Sequence, residues 1–298
     1  MSTLVIVAIG AGYVLFVGFL LLVVQSKNRT QRVKHIAQSV GLPLTPEIEL
    51  AVRRTLRAGV RIGFASIVIG VALATAYSLV GHIDSVLQVL WVDFTGVIAG
   101  IGIGSALATF AGEDKRQKGS IRVARLQSVT LADYRSPFDQ WVPRVVVVVT
   151  LLGLVLRGAI YPEGYGSVPV FLWVYAGVTV VSLAIFEFTS RALLQTGQPA
   201  NSALDLAWDD ALRSQALAGI AAMPVYLGAY LGIAAFTFYP PTHEGATALA
   251  SQVEAVSQLV GSALLLVWVG ASVATRSQQR YLRKLWPDLA AGMEASRA

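Results

Sequence analysis

Long apolar runs alternate along the chain with short polar, basic segments. The runs cover about 2–24, 59–80, 88–112, 142–161, 168–190, 214–238 and 254–275. Each is close to the ~20 residues a helix needs to cross the hydrocarbon core of a bilayer. The pattern predicts an all-α integral membrane protein, a single transmembrane domain over 1–298 with seven transmembrane helices and a basic tail at 276–298. The first run has no basic start, is too long for a signal peptide and meets no small-residue cleavage site, so it is expected to remain as a span.

Two polar segments carry helical patterns of their own. In "LTPEIELAVRRTLRAGV" (44–60), Thr45 is placed as an N-cap, Pro46 at the first helical position, and Glu47 and Glu49 in the first turn. Ile48, Val52 and Leu56 recur on one face, which predicts an interfacial helix running into the second span, with arginines near anionic headgroups. In "NSALDLAWDDALRSQALAGI" (201–220), Ser202 and Asp205 have capping-box spacing.

Composition sharpens the membrane reading. The chain is 55% hydrophobic and 13% charged, against about 25% charged in soluble domains. Charge placement then gives the threading. With seven spans, all of the 23 Lys and Arg except Arg157 fall on one side. Basic residues resist translocation, so that side is cytoplasmic, the N-terminus is outside and the C-terminus inside. Aromatic rings favour the headgroup boundary. Trp91, Phe94, Tyr161 and Tyr239 would mark the outer one, and Phe138, Trp141, Trp208 and Trp286 the inner.

Small residues recur every fourth position at Gly96, Gly100, Gly104, Ala108 and Gly112. The preceding span carries Ser66, Gly70, Ala74 and Ser78 at the same spacing. These glycines lie inside an apolar run, not in a turn between strand and helix, so a phosphate loop is excluded. Small stripes let helix backbones approach closely. The two stripes therefore predict one tightly packed antiparallel hairpin.

Chemistry-bearing residues are few at membrane depth. Asp93 and Arg157 lie near the outer ends of their spans, where an ion pair is plausible, and Glu187 lies four residues before Arg191 on one helix face. Cysteine is absent, and His35, His82 and His243 lie outside the apolar runs. Ser105 thus has no base within a span, no aspartate pair sits at depth, and no metal-ligand spacing occurs. A retinal lysine is excluded, because all five lysines lie in inner segments. The expectation is a protein that is not an enzyme and holds no cofactor or metal.

Two further features bear on function. Asp205, Asp209 and Asp210 form an acidic knob on the basic side, which either caps its helix and holds basic loop residues such as Arg122 or Arg125, or is a candidate docking surface for a soluble partner. Pro224, Gly228 and Gly232 mark a candidate hinge in the sixth span, because proline removes a helical hydrogen bond. A parallel repeat of hairpins, two–three and six–seven, is hinted at by "TLRAGV" and "ALRSQA".

The segments "DDALRSQAL" (209–217) and "RVARLQSVTLADY" (122–134) resemble patterns in uncharacterised actinobacterial polytopic inner-membrane proteins. The resemblance implies a bacterial inner-membrane protein with an ABC-type partner, and supplies no active site. The expected function is the membrane subunit of a bacterial transporter, permease-like and partnered by a separate ATPase. The alternative is a non-transporting structural or assembly subunit of a larger membrane complex. Expected partners are the bilayer, anionic lipid headgroups, a soluble ATPase or other membrane subunits, and further copies of the chain, with no nucleic acid among them.

Overall fold

The computed structural model describes residues 3–27, 29–81, 89–90, 92–101, 103–104, 107, 129–160, 170–197, 202–237, 280–289 and 291. Among them every regular element is helical. In chain order these are α1 (Thr3–Lys27), α2 (Arg29–Val40) and α3 (Pro46–Val80), then α4 (Val92–Ile101) and α5 (Leu131–Tyr134). They are followed by α6 (Pro137–Ile160), α7 (Val170–Gln195), α8 (Ala203–Thr237) and α9 (Arg280–Leu285). Four stretches are long and apolar enough to cross a membrane: Pro46–Val80, Pro137–Val155, Leu172–Gln195 and Ala203–Ala234. Thr3–Gly12 and Val92–Ile101 are shorter apolar helical stretches. The runs expected at 254–275 and beyond 107 lie outside the described residues.

The long helices outrun the expected spans at their polar ends. Helices α3 and α8 have 35 residues each, or roughly 50 Å at 1.5 Å per residue. A hydrocarbon core of about 30 Å leaves several turns of each outside it. The start of α3 follows its sequence signals: the Thr45 hydroxyl accepts from the Ile48 N–H, and Pro46 stands in the first turn. Helix α2 ends where Gly41 takes a φ of 78°, its N–H returning to the Ala37 carbonyl. Glycine suits this left-handed position because it has no Cβ to clash.

The protruding ends share one core. It joins Val33, Ile36 and Val40 of α2, Ile48 and Val52 of α3, and Tyr134 of α5. Leu193 near the end of α7, Trp208 and Leu217 of α8, and Tyr281 and Leu282 of α9 complete it. The face Ile48–Val52–Leu56 of the expected interfacial helix packs on protein. Trp208 and Trp286 also leave the expected aromatic belt. Trp208 is buried and its indole N–H donates to the Pro43 carbonyl at 3.0 Å. The Trp286 N–H donates to Asp210 at 2.9 Å. A buried indole N–H needs an acceptor, and this layer supplies one that a lipid tail would not.

The second core lies among the apolar helices. Helix α8 packs along both α6 and α7, and α1 along α3. Leu154, Leu172, Tyr175, Met223, Leu227 and Leu231 are buried together there.

Candidate functional site

The two small-residue stripes meet in antiparallel register. A Cβ built on Gly70 or Gly96 would collide with the other's backbone carbonyl. One on Gly100 would lie 2.5 Å from the Ile67 Cα and 2.6 Å from the Ser66 carbonyl oxygen. One on Gly104 would lie 2.6 Å from the Gly63 Cα, which extends the seam to a residue outside the expected stripe. Ala74 touches the Gly96 position, and Ser66 and Ser78 are buried. Real Cβ atoms do not approach so closely, so glycine is what permits this backbone spacing. Ala108 and Gly112 lie outside the described residues, as does Gly102.

Asp93 sits beside this seam, fully buried. Its Oδ1 accepts from the Thr75 hydroxyl at 3.1 Å, and its Oδ2 has no hydrogen-bond partner. Thr75 is pressed from the other side by Gly10 of α1, where any Cβ would meet its hydroxyl. Thr75 thus links three helices, a role its sequence position does not announce. The side chain of Arg157 lies outside the described residues, and with it the expected pairing to Asp93.

Glu187 is positioned chiefly by α6, not by its own helix. Its Oε1 accepts from Arg144 Nε at 2.6 Å and lies 2.6 Å from the terminal NH2 of the same guanidinium. The i,i+4 neighbour Arg191 is 3.9 Å away and mostly exposed. Arg144 also lies over the Trp141 ring, 5.3 Å from its centre. The sequence spacing caught the weaker partner because the stronger one is 43 residues distant.

Two of the three acids of the knob, Asp209 and Asp210, turn inward. Asp210 is fully buried, accepting from the Tyr134 hydroxyl at 2.6 Å on Oδ1 and from Trp286 on Oδ2. Asp209 is buried 3.2 Å from Arg213, whose NH1 donates to the Leu193 carbonyl of α7. A carboxylate at an interface of helices is worth most where donors converge on it, and here they come from α5, α8 and the residue after α9. Only Asp205 remains in an open first turn, its N–H capped by Ser202 Oγ at 3.1 Å. Near Asp210, burial and then the aspartate's negative charge push the Tyr281 hydroxyl far above the usual tyrosine range. In the same layer burial lowers the Arg135 guanidinium, against the opposing pull of Asp139.

Helix α8 runs without interruption through Pro224. The candidate hinge glycines lie against α6. The Gly228 carbonyl accepts from the Thr150 hydroxyl of α6 at 3.0 Å, and a Cβ on Gly228 would lie 2.8 Å from Val146 Cγ1. A Cβ on Gly232 would lie 3.8 Å from the Thr150 side chain, an ordinary contact.

A groove of about 640 Å³ lies between the α3–α4 hairpin and α7. Gly70, Gly96, Ala99 and Gly100 line its floor side, and Val174, Tyr175, Gly177 and Val178 its other wall. Exposed rim residues Ile69, Leu73, Leu107 and Val181 open it sideways. Its few polar groups include Thr95 and Tyr175; the Tyr175 hydroxyl lies beside Thr95, outside hydrogen-bonding geometry. This volume falls in the range of sites for small molecules. Sequence periodicity could show the small residues but not that a third helix stands off from them. A second pocket of about 500 Å³, with Arg280, Arg283 and Lys284 in its lining, lies between the start of α6 and α9. Among the described residues no group of three His, Cys, Asp or Glu could hold a metal ion.

Over the described residues the fold is all-helical, with helices of membrane-crossing length and apolarity capped by a layer of helix ends. No protein-family model, curated protein or solved structure matches the chain.

Proposed function

We propose that the chain is a seven-span bacterial inner-membrane protein, N-terminus outside and C-terminus cytoplasmic, serving as the membrane subunit of a transporter energised by a separate ATPase. The observation that carries this reading is the sideways-opening groove of about 640 Å³ between the α3–α4 hairpin and α7. Its lining suits an apolar or amphipathic molecule that arrives from the bilayer, with the Tyr175 hydroxyl facing a single polar group. The threading is supported by the shared polar layer. Its core takes the starts of α3 and α8, the end of α7 and helices α2, α5 and α9, which the seven-span order puts on one side. The basic residues Arg53, Arg135, Arg213 and Arg280 belong to these segments, as the positive-inside rule requires.

A second reading, a structural or assembly subunit, is favoured by Asp209 and Asp210. These acids serve the protein's own fold, so the most conspicuous surface for an ATPase is spent internally. One experiment separates the two. The full chain is purified from native membranes in mild detergent, its partners are identified, and its bound small molecules are extracted. The transporter reading expects a soluble ATPase and an apolar compound in the eluate. The compound is lost in Gly177→Phe, which adds a ring where a Cβ meets nothing within 4 Å. Identical extracts from both proteins, with membrane partners alone, would overturn it and leave the assembly role.

A further inference from the structure

Helix α9 sorts its residues by face. Tyr281 and Leu282 enter the polar layer's core, with Leu285 packed against it. Arg280, Arg283 and Lys284, at i, i+3 and i+4, share another side of the helix. These three line the pocket of about 500 Å³, opposite Ser136, Pro137 and Phe138 at the start of α6. Arg280 is fixed there by its Nε, which donates to the Ala132 carbonyl at 3.0 Å.

The nearby acids have other duties. Asp139 accepts from the Ser136 hydroxyl at 2.9 Å and pairs with buried Arg135. Asp133 accepts from both the N–H and the hydroxyl of Thr130 at 2.8 Å, and stands 3.9 Å from Lys284, beyond hydrogen-bonding distance. Positive charge therefore exceeds negative charge around the pocket. The α6 terminus adds little of its own, because Pro137 has no N–H and the Asp139 N–H is already capped by Ser136. The attraction comes from the three cations.

We infer that this pocket is a binding site for the phosphate headgroup of an anionic phospholipid. Two arginines and a lysine supply forked and point-charge donors suited to phosphate oxygens. Free phosphate would use the same donors. What favours a lipid is the surface that leaves the pocket: Phe138, Trp141, Val145, Val148 and Leu152 are all exposed along one side of α6. Their spacing of three and four makes a continuous apolar stripe for acyl chains, starting at the headgroup site. Exposed Phe138 and Trp141 stand at its polar end, where aromatic rings lie at headgroup level. The site does not depend on the protein being a transporter.

The test titrates the detergent-solubilised full chain with short-chain phosphatidylglycerol, short-chain phosphatidylcholine or inorganic phosphate at fixed ionic strength. Thermal midpoint and native mass spectrometry report binding. Phosphatidylglycerol is expected to raise the midpoint and to be retained, while the other two do neither. Arg283→Ala/Lys284→Ala should weaken phosphatidylglycerol about thirtyfold and Lys284→Gln alone about fivefold. Lys284 is about half exposed, with a relative exposure of 48%, so the single variant keeps the fold. Equal effects of phosphatidylcholine would make the interaction one of tails only. Equal effects of inorganic phosphate would make it a free-anion site. Equal loss in Arg54→Ala/Arg57→Ala, exposed positions on α3, would make it a diffuse basic surface. Each of these results, or unchanged affinity in Lys284→Gln, overturns the proposal.

Discussion

At the scale of single residues, the absence of a side chain has opposite consequences at two glycines. A Cβ at Gly100 would lie 2.5 Å from backbone that cannot swing aside. A Cβ at Gly177 meets nothing within 4 Å. Gly100→Ala should therefore destabilise by about 1–3 kcal/mol, the usual range for overpacking. Gly177→Ala should stabilise by up to about 1 kcal/mol, because alanine is the better helix former. Thermal unfolding in one detergent checks both. A higher midpoint for Gly100→Ala than for Gly177→Ala would mean that the α3–α4 backbones are not in the close register described. Thr75 shows the complementary case, a hydroxyl whose importance lies in joining Gly10 of α1 to Asp93.

At the scale of elements, α6 and α7 are clamped by Arg144 and Glu187. Both side chains are about 30% exposed, at 31% and 27%, and they meet at 2.6 Å. Such a pair lies between an exposed ion pair, worth about 0–1 kcal/mol, and a charge-assisted hydrogen bond, worth about 1.5–3. A double-mutant cycle of Arg144→Gln with Glu187→Gln should give a coupling of about 1–2 kcal/mol. The same cycle with Arg191→Gln should give under about 0.5, since Arg191 is 73% exposed and 3.9 Å away. Equal couplings would return Glu187 to its sequence neighbour. The register of α6 on α8 is held differently, by the Thr150 hydroxyl on the Gly228 carbonyl and by close contact at that glycine.

At the scale of the whole molecule, the two cores divide the labour. The apolar core packs helices whose outer faces remain exposed, as at Val148 and Leu152, and the polar layer ties their protruding ends together. Tyr134, Trp208, Asp210 and Trp286 give that layer hydrogen bonds as well as apolar area, and Tyr281 adds its buried ring. On the seven-span threading, a reporter active only in the cytoplasm should work when fused after 298 and stay silent before residue 1. The reverse pattern would invert the protein, and activity at both ends would require an even number of spans, six or eight.

The length and apolarity of the runs determined the helical class, because a bilayer accepts backbone only when its hydrogen bonds are closed within the segment. The four-residue spacing likewise made the seam legible, since that interface is a local repeat of small side chains on each partner. The caps at Thr45 and Ser202 were readable for the same reason: cap and recipient N–H lie three residues apart. Tertiary structure alone decided which polar residues face inward. Asp210 is an interior anchor because Tyr134 and Trp286 come from 76 residues away on either side of it, and Asp209 is held inside because its helical neighbour Arg213 reaches the Leu193 carbonyl of α7. The groove against α7 and the cluster of Arg280, Arg283 and Lys284 beside Phe138 are also juxtapositions of distant segments. Periodicity records the face a residue shares with its neighbours in sequence. It carries no record of which other helix, or which gap between helices, that face will meet.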